Sequence, residues 1–233
     1  MRKDFVNYIA LIWLIVLTSC NTVPPTVPEV EGTHYIAHAG GTIEGYRYSN
    51  SLEAVREALR HHIDYIELDL CFTADSQLVA WHDWNWQWTY VPTHAQFMAH
   101  KVYDRFTPMD YPMIDSILSH NPQLSLVTDK ISDPQTIDRY FHHYKQRVWV
   151  ECFTDDDYLT LQQMGYHVLA SRVPPASPSA ISDYTFNRYD CANPSHLFGS
   201  CFAIYGGDIS LSMADSIFAL DERIHFVYTD NYD

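Results

Sequence analysis

Short apolar runs alternate with amphipathic stretches along most of this 233-residue chain. The runs at residues 34–38, 64–70, 78–81, 124–128, 147–152, 166–170, 201–205 and 225–228 carry aliphatic and aromatic side chains over strand-like lengths, which predicts β-strands. Helix signals fall between them. Asn50 followed by Glu53 reads as a capping box before a helix whose Leu52, Val55, Leu59 and Ile63 share one face. Asp133 and Pro134 supply a cap and a first-turn proline ahead of Ile137, Tyr140, Phe141 and Tyr144. Thr154 and Asp157 open a helix that stops at Gly165, and Met213, Ile217 and Leu220 line the face of a last one. Such alternation of strands and helices points to an α/β fold with a parallel sheet, open or closed into a barrel.

The runs at 64–70 and 78–81 break the rhythm, because only residues 71–77 join them. Parallel neighbours need a crossover of a dozen or more residues, so these two should form an antiparallel excursion around residues 71–83, with Asp75 and Ser76 in its turn. Seven strands remain for a barrel. An eighth must lie in the Pro- and Ser-rich stretch 173–200 or be missing.

The first residues follow a different logic. Arg2 and Lys3 precede an apolar run at residues 9–17, and Leu17, Thr18, Ser19 and Cys20 close it in the order of a secretory signal. That ending resembles a bacterial lipobox, and the apolar run is shorter than the roughly 20 residues a membrane span requires. Residues 1–19 are therefore expected to be a lipoprotein signal peptide, Cys20 the lipidated residue, 20–32 a Pro-rich tether and 33–233 the folded domain of an exported, membrane-anchored protein. Of the other cysteines only Cys191 and Cys201 are close in sequence, and a disulfide or buried thiols explain the set equally well.

Composition then narrows the chemistry. Asp and Glu number 29 against 14 Lys and Arg, for a net charge of -15, while 47% of the chain is hydrophobic and 15% aromatic. A chain this apolar folds, and an acidic excess without any basic cluster longer than a pair argues against nucleic acid as a partner. Any phosphate bound here must be attracted by something other than net charge. Glu67 and Asp69 are two apart on a predicted strand, so both carboxylates project from one face. Their repulsion is relieved by a shared proton or a divalent cation, and hard oxygen ligands favour Ca²⁺ or Mg²⁺. His38 ends the first strand and His82 the excursion, where both can converge on the same rim.

The order His38-Ala39-Gly40-Gly41, Asn50-Ser51-Leu52-Glu53-Ala54, Ile66-Glu67-Leu68-Asp69-Leu70, Thr73 with Asp75, and Leu78-Val79 with His82-Asp83 resembles the glycerophosphodiester phosphodiesterase family, a branch of the phospholipase C-like phosphodiesterases. The opening His-Ala-Gly-Gly is similar to that of a bacterial subgroup. The resemblance implies a (β/α)8 TIM-type barrel, reduced or irregular at one strand, with its active site at the C-terminal face. It implies one divalent cation held by Glu67 and Asp69, and His38 and His82 as the acid/base pair that splits a glycerophosphodiester into glycerol phosphate and an alcohol.

Three departures qualify the resemblance. Ala39 stands where the family usually has an arginine, and Arg47 is a candidate replacement. Thr128-Asp129-Lys130 stands where Glu-x-Lys is usual. Strict alternation would put Thr128 on the same face as Lys130, yet Asp129 is the expected third metal ligand, since two carboxylates alone leave a cation dependent on waters or carbonyls. Lys130 and Asn50 are then expected to contact substrate. Finally, Trp84, Trp86 and Trp88 follow His82. They form either an alcohol-binding wall including Trp84, a membrane contact, or one packed face of a strand. Two other functions are compatible with the same residues, a non-catalytic surface-binding lipoprotein and a phospholipase C- or D-like lipid hydrolase.

Overall fold

A computed structural model describes residues 31–171, 181–185 and 201–232, without side-chain detail for 181–185, 201 and 202. The signal peptide, Cys20, all of the tether but residues 31 and 32, and Cys191 lie outside the described residues.

Among the described residues ten strands form the sheet: β1 (His34–Ala37), β2 (Tyr65–Phe72), β3 (Leu78–Ala80), β4 (Met109–Asp110), β5 (Ser125–Asp129), β6 (Val148–Cys152), β7 (His167–Ala170), β8 (Ile181–Thr185), β9 (Cys201–Tyr205) and β10 (Ile224–Thr229). Eight of them run parallel in the order β1-β10-β9-β8-β7-β6-β5-β2, and β1 pairs β2 to close the ring. The result is a TIM-type barrel. The eighth strand falls inside the stretch 173–200, where Ile181–Thr185 pairs β9 along its length and β7 at Ala170 and Ser182 alone. A register shift between Ile224 and Phe226 marks the β10–β9 pair.

Antiparallel pairing of β2 with β3, and of β3 with β4, builds the excursion. Its turn is held by Thr73, whose hydroxyl donates to Asp75 Oδ1 at 2.7 Å and accepts from the Gln77 amide at 3.0 Å. The tryptophans that follow do not extend it as a strand. The Trp81 indole donates to the Asp83 carbonyl at 2.9 Å, folding the chain into a 3₁₀ turn at Trp84–Trp86 with no partner strand beside it.

Among the described residues six helices cover the ring: α1 (Leu52–Arg60), α2 (His94–Ala99), α3 (Tyr111–His120), α4 (Pro134–Phe141), α5 (Asp155–Gln163) and α6 (Leu211–Phe218). Asp133 and Thr154 cap α4 and α5 as their sequences suggest. The start of α1 differs by one residue. Ser51 is its cap, accepting from the Ala54 amide, because Asn50 is committed elsewhere, and the Glu53 carboxylate accepts from the Thr107 amide and hydroxyl at 2.8 and 2.9 Å instead of closing a box. Leu220 lies past the end of α6 and is exposed.

Two apolar layers result. Ile36, Val127, Trp149, Leu169, Ala203, Phe226 and Tyr228 plug the barrel interior. A larger set, including Val55, Leu68, Leu70, Leu126, Val150 and Val168, fills the gap between strands and helices. Ser51→Ala should cost about 1 kcal/mol as a lost cap, whereas Glu53→Ala should cost about 1–3 kcal/mol because it orphans two donors of Thr107. Urea unfolding midpoints measure both, and a Glu53→Ala shift no larger than that of Ser51→Ala would contradict this assignment.

Candidate active site

The pleat of β2 and its register with β5 place the carboxylates. Glu67 and Asp69 face the barrel interior, and in the parallel β2–β5 pair Asp69 lies opposite Asp129 and Glu67 opposite Val127. Paired residues on parallel neighbours point the same way, so Asp129 stands beside Asp69 while Thr128 turns outward and is fully buried against the helix side. Lys130 then leaves the pleat. Its φ of 72° lies in the left-handed region, and the turn brings its side chain back to the cavity that Asp129 also lines. The conflict between alternation and the need for a third carboxylate thus dissolves, because the regular strand ends at Asp129. One oxygen each of Glu67, Asp69 and Asp129 lies within 4.8 Å of the others.

The loop after β1 braces this cluster from behind. The Ala39 amide donates to Glu67 Oε2 at 2.6 Å, and Ala39 itself is fully buried with φ of 48°, so the position departing from the family's arginine serves through its backbone. Gly41 beside it has no room for a side chain, since a Cβ there would meet Tyr232 Oη at 1.7 Å. Asn50 is 1% exposed and grips Asp69 twice, its Nδ2 donating to Oδ2 at 2.8 Å and its Oδ1 accepting from the Asp69 amide at 3.0 Å. It sits behind the carboxylate and is not among the residues lining the cavity.

Electrostatics make the cluster unstable alone. Burial, then the charges of Asp69, Asp129 and Glu151, push the Glu67 carboxyl well above its ordinary range, against the pull of the Ala39 amide. Burial and then Asp129 raise Asp69, opposed by Asn50, His82 and Lys130. Glu67 Oε1 is buried without any hydrogen-bond partner. An orphaned anionic oxygen among three converging carboxylates fits a hard divalent cation, which would supply the missing ligand contact and cancel the repulsion.

Both histidines reach the same cavity, a space of about 650 Å³. His38 Nδ1 lies 3.0 Å from Asp230 Oδ1. His82 Nδ1 lies 2.6 Å from Asp83 Oδ2, and its Nε2 is 3.9 Å from Asp69 Oδ1. Glu151, Ser171, Tyr205 and Tyr228 line the same cavity, as do Tyr48 and the exposed Trp86 nearer its mouth. Arg47 instead pairs with Asp208 at 2.9 Å near the surface, and Trp84 packs against Trp81 and Phe97 while Asn85 and Trp86 line the cavity. In the sequence Val227-Tyr228-Thr229-Asp230 resembles the closing segment of the family without giving Tyr228 or Asp230 a role, and Glu151 carries no motif. Their signal is the two-residue step, from Trp149 to Glu151 and from Phe226 through Tyr228 to Asp230, at the C-terminal ends of apolar strands. Cys71 and Cys152 are free, and burial pushes both thiols up, away from reactivity.

With that geometry in view, residues 38–91 match the Glycerophosphoryl diester phosphodiesterase family, the segment that carries both histidines, Glu67 and Asp69. The fold is shared with a glycerophosphodiester phosphodiesterase from Agrobacterium tumefaciens str. C58, at TM-score 0.66 and 19% identity over 85% of this chain and 95% of that one. A glycerophosphodiester phosphodiesterase from Parabacteroides distasonis ATCC 8503 gives 0.65 and 16% over 85% and 93%. A phosphodiesterase from Oleispira antarctica, solved in complex with the product sn-glycerol-3-phosphate, gives 0.58 and 15% over 84% and 92%. No curated protein matches the chain. The family match and the shared barrel together support a phosphodiesterase.

The raised carboxyls have a measurable consequence. Groups that bind protons more tightly folded than unfolded stabilise the fold below the ordinary carboxylate range, and this contribution is lost as pH rises through their raised values. Cation-free protein should therefore lose stability as pH rises above the ordinary carboxylate range, and Ca²⁺ or Mg²⁺ should raise Tm more at higher pH. Glu67→Gln should stabilise the cation-free form at high pH by about 1–3 kcal/mol and remove the cation's effect. Melting curves across pH check this, and a cation-free Tm that rises as pH climbs above the carboxylate range would contradict it.

Proposed function

We propose that this protein hydrolyses glycerophosphodiesters to glycerol phosphate and an alcohol at the mouth of its barrel, using one Ca²⁺ or Mg²⁺ and an acid/base pair of histidines. The observation that carries the reading is the convergence of a three-carboxylate cradle, two histidines and one lysine on a single cavity. The product complex of the Oleispira antarctica phosphodiesterase, on the same fold, supports the choice of substrate class.

Glu67, Asp69 and Asp129 would hold the cation. When bound, such an ion neutralises phosphate charge and makes phosphorus more open to attack. The remaining work falls to the chain's own groups. Lys130, held 3.7 Å from Asp129, is the one Lys or Arg lining the cavity among the described residues and would pair with a phosphoryl oxygen. His38 and His82 each have Nδ1 beside a carboxylate, which leaves Nε2 as the nitrogen for proton transfer. One takes the proton of the substrate's own neighbouring hydroxyl as it attacks phosphorus, and the other gives a proton to the alcohol oxygen whose bond to phosphorus breaks; water then opens the resulting cyclic phosphate to glycerol phosphate, the two histidines exchanging roles. Trp86 and Tyr48 at the mouth flank the alcohol as it leaves.

We also propose that the domain is tethered outside the cytoplasm by lipid on Cys20, the reading that its lipobox-like sequence supports. A Cys20→Ser variant should shift the protein from the membrane to the soluble fraction.

Hydrolysis of a glycerophosphodiester, or of bis-p-nitrophenyl phosphate, tests the reaction. Chelator should abolish turnover, and His38→Ala and His82→Ala should each lower kcat about 10²- to 10⁴-fold. Equal rates in chelated, variant and untreated protein would refute the reading. Absence of turnover in all three would favour a binding role instead, and release of head groups from phospholipid micelles in place of glycerophosphodiester turnover would favour a lipid hydrolase.

A further inference from the structure

Asp230, one residue past the end of β10, holds the buried carboxylate that lies beside His38 Nδ1. It is 1% exposed, and both of its oxygens are engaged. Oδ2 accepts from the backbone amides of Asp208 at 2.9 Å and Ile209 at 3.2 Å. Oδ1 lies 3.0 Å from His38 Nδ1. Among the described residues His38 is its one ion-pair partner.

Tying down the loop at 208–209 needs only an acceptor, which a neutral amide side chain would supply. A carboxylate buried without a cation is costly, so the charge itself calls for a reason; the Tyr48 hydroxyl donates to it as well, but a phenol is satisfied by any acceptor, and the imidazole N–H is the group that gains from a full charge. The ring is fixed on its other sides as well. Tyr48 meets it edge-on with centroids 4.9 Å apart, and Tyr228 does so at 5.6 Å. A ring held by one carboxylate and two aromatic neighbours keeps a single orientation.

We propose that Asp230 is the positioning residue for His38. It holds the ring proton on Nδ1, presents the Nε2 lone pair to the cavity, and stabilises the imidazolium whenever Nε2 carries a proton. The kinetic readout of this inference rests on the proposed hydrolysis, and the structural readout does not.

Asp230→Asn separates charge from shape. The amide oxygen still accepts from both backbone N–H groups, while the amide nitrogen turns to His38 and obliges Nδ1 to accept, which moves the ring proton to Nε2. In the full chain loaded with divalent cation and assayed on bis-p-nitrophenyl phosphate, kcat should fall about 10²- to 10⁴-fold with KM little changed. Nitrogen NMR of labelled imidazoles, with His38 assigned through His38→Gln, should show the proton on Nδ1 in the wild type and on Nε2 in the variant. A variant kcat within about threefold of wild type, or a wild-type His38 protonated on Nε2, would overturn the proposal. If the wild type hydrolyses no diester, the reaction reading fails and the tautomer switch alone decides: its presence upholds the dyad and its absence overturns it. The wild-type spectrum decides in the same way if Asp230→Asn does not fold.

Discussion

In a closed ring of parallel strands, no strand can slip by one residue without turning its inward side chains outward and its outward ones into the core. That constraint governs this barrel from β1 to β10. Ile36, Val127, Trp149, Leu169, Ala203 and Phe226 plug the interior. Two residues further on, the same faces carry His38, Asp129, Glu151, Ser171, Tyr205 and Tyr228, all of them lining the cavity. β2 follows the same step from Glu67 to Asp69. The chemistry is thus a polar layer stacked on an apolar one, and the apolar layer sets where it stands.

Such stacking concentrates like charge. Glu67, Asp69 and Asp129 approach within 4.8 Å, and burial raises the first two carboxyls further. The neighbourhood answers with donors: the Ala39 amide on Glu67, the Asn50 side-chain amide on Asp69 and the Lys130 backbone amide on Asp129. These hydrogen bonds aim the carboxylates without neutralising them. The backbone around β1 accepts left-handed conformations at Ala39 and Asn50 to deliver two of those donors, local strain that a well-packed barrel can hold.

Much of this was legible in the sequence because the governing periodicities are local. The strand runs, the antiparallel excursion and the caps at Asp133 and Thr154 depend on neighbours within a few residues. Placement of the eighth strand in the Pro- and Ser-rich stretch was reachable only by counting, since Ile181–Thr185 has little of an ordinary strand pattern. Roles that depend on distant partners were misjudged or missed. Asn50 looked like a cap and a substrate contact, yet its partner is Asp69, on the neighbouring strand. Arg47 looked like a replacement cation, yet Asp208, far along the chain, claims it. Helices α2 and α3 carry start signals of the same local kind, a Thr93–Gln96 capping box for α2 and, for α3, Asp110 and Pro112 in the manner of Asp133 and Pro134.

The excess of acid also takes on a specific meaning. Charges separated by more than about 10 Å are largely screened at physiological salt, so most of the net charge of -15 has little influence on what enters the barrel. The local balance is decisive, and among the described residues Glu67, Asp69, Asp83, Asp129 and Glu151 face Lys130 and two histidines there. Those side chains leave an excess of negative charge, and a divalent ion among Glu67, Asp69 and Asp129 would offset it where the three carboxylates meet. Glu151, on the strand beside Asp129 and tied to Ser171 and Tyr228, keeps its own carboxylate outside that cradle while its charge still bears on Glu67.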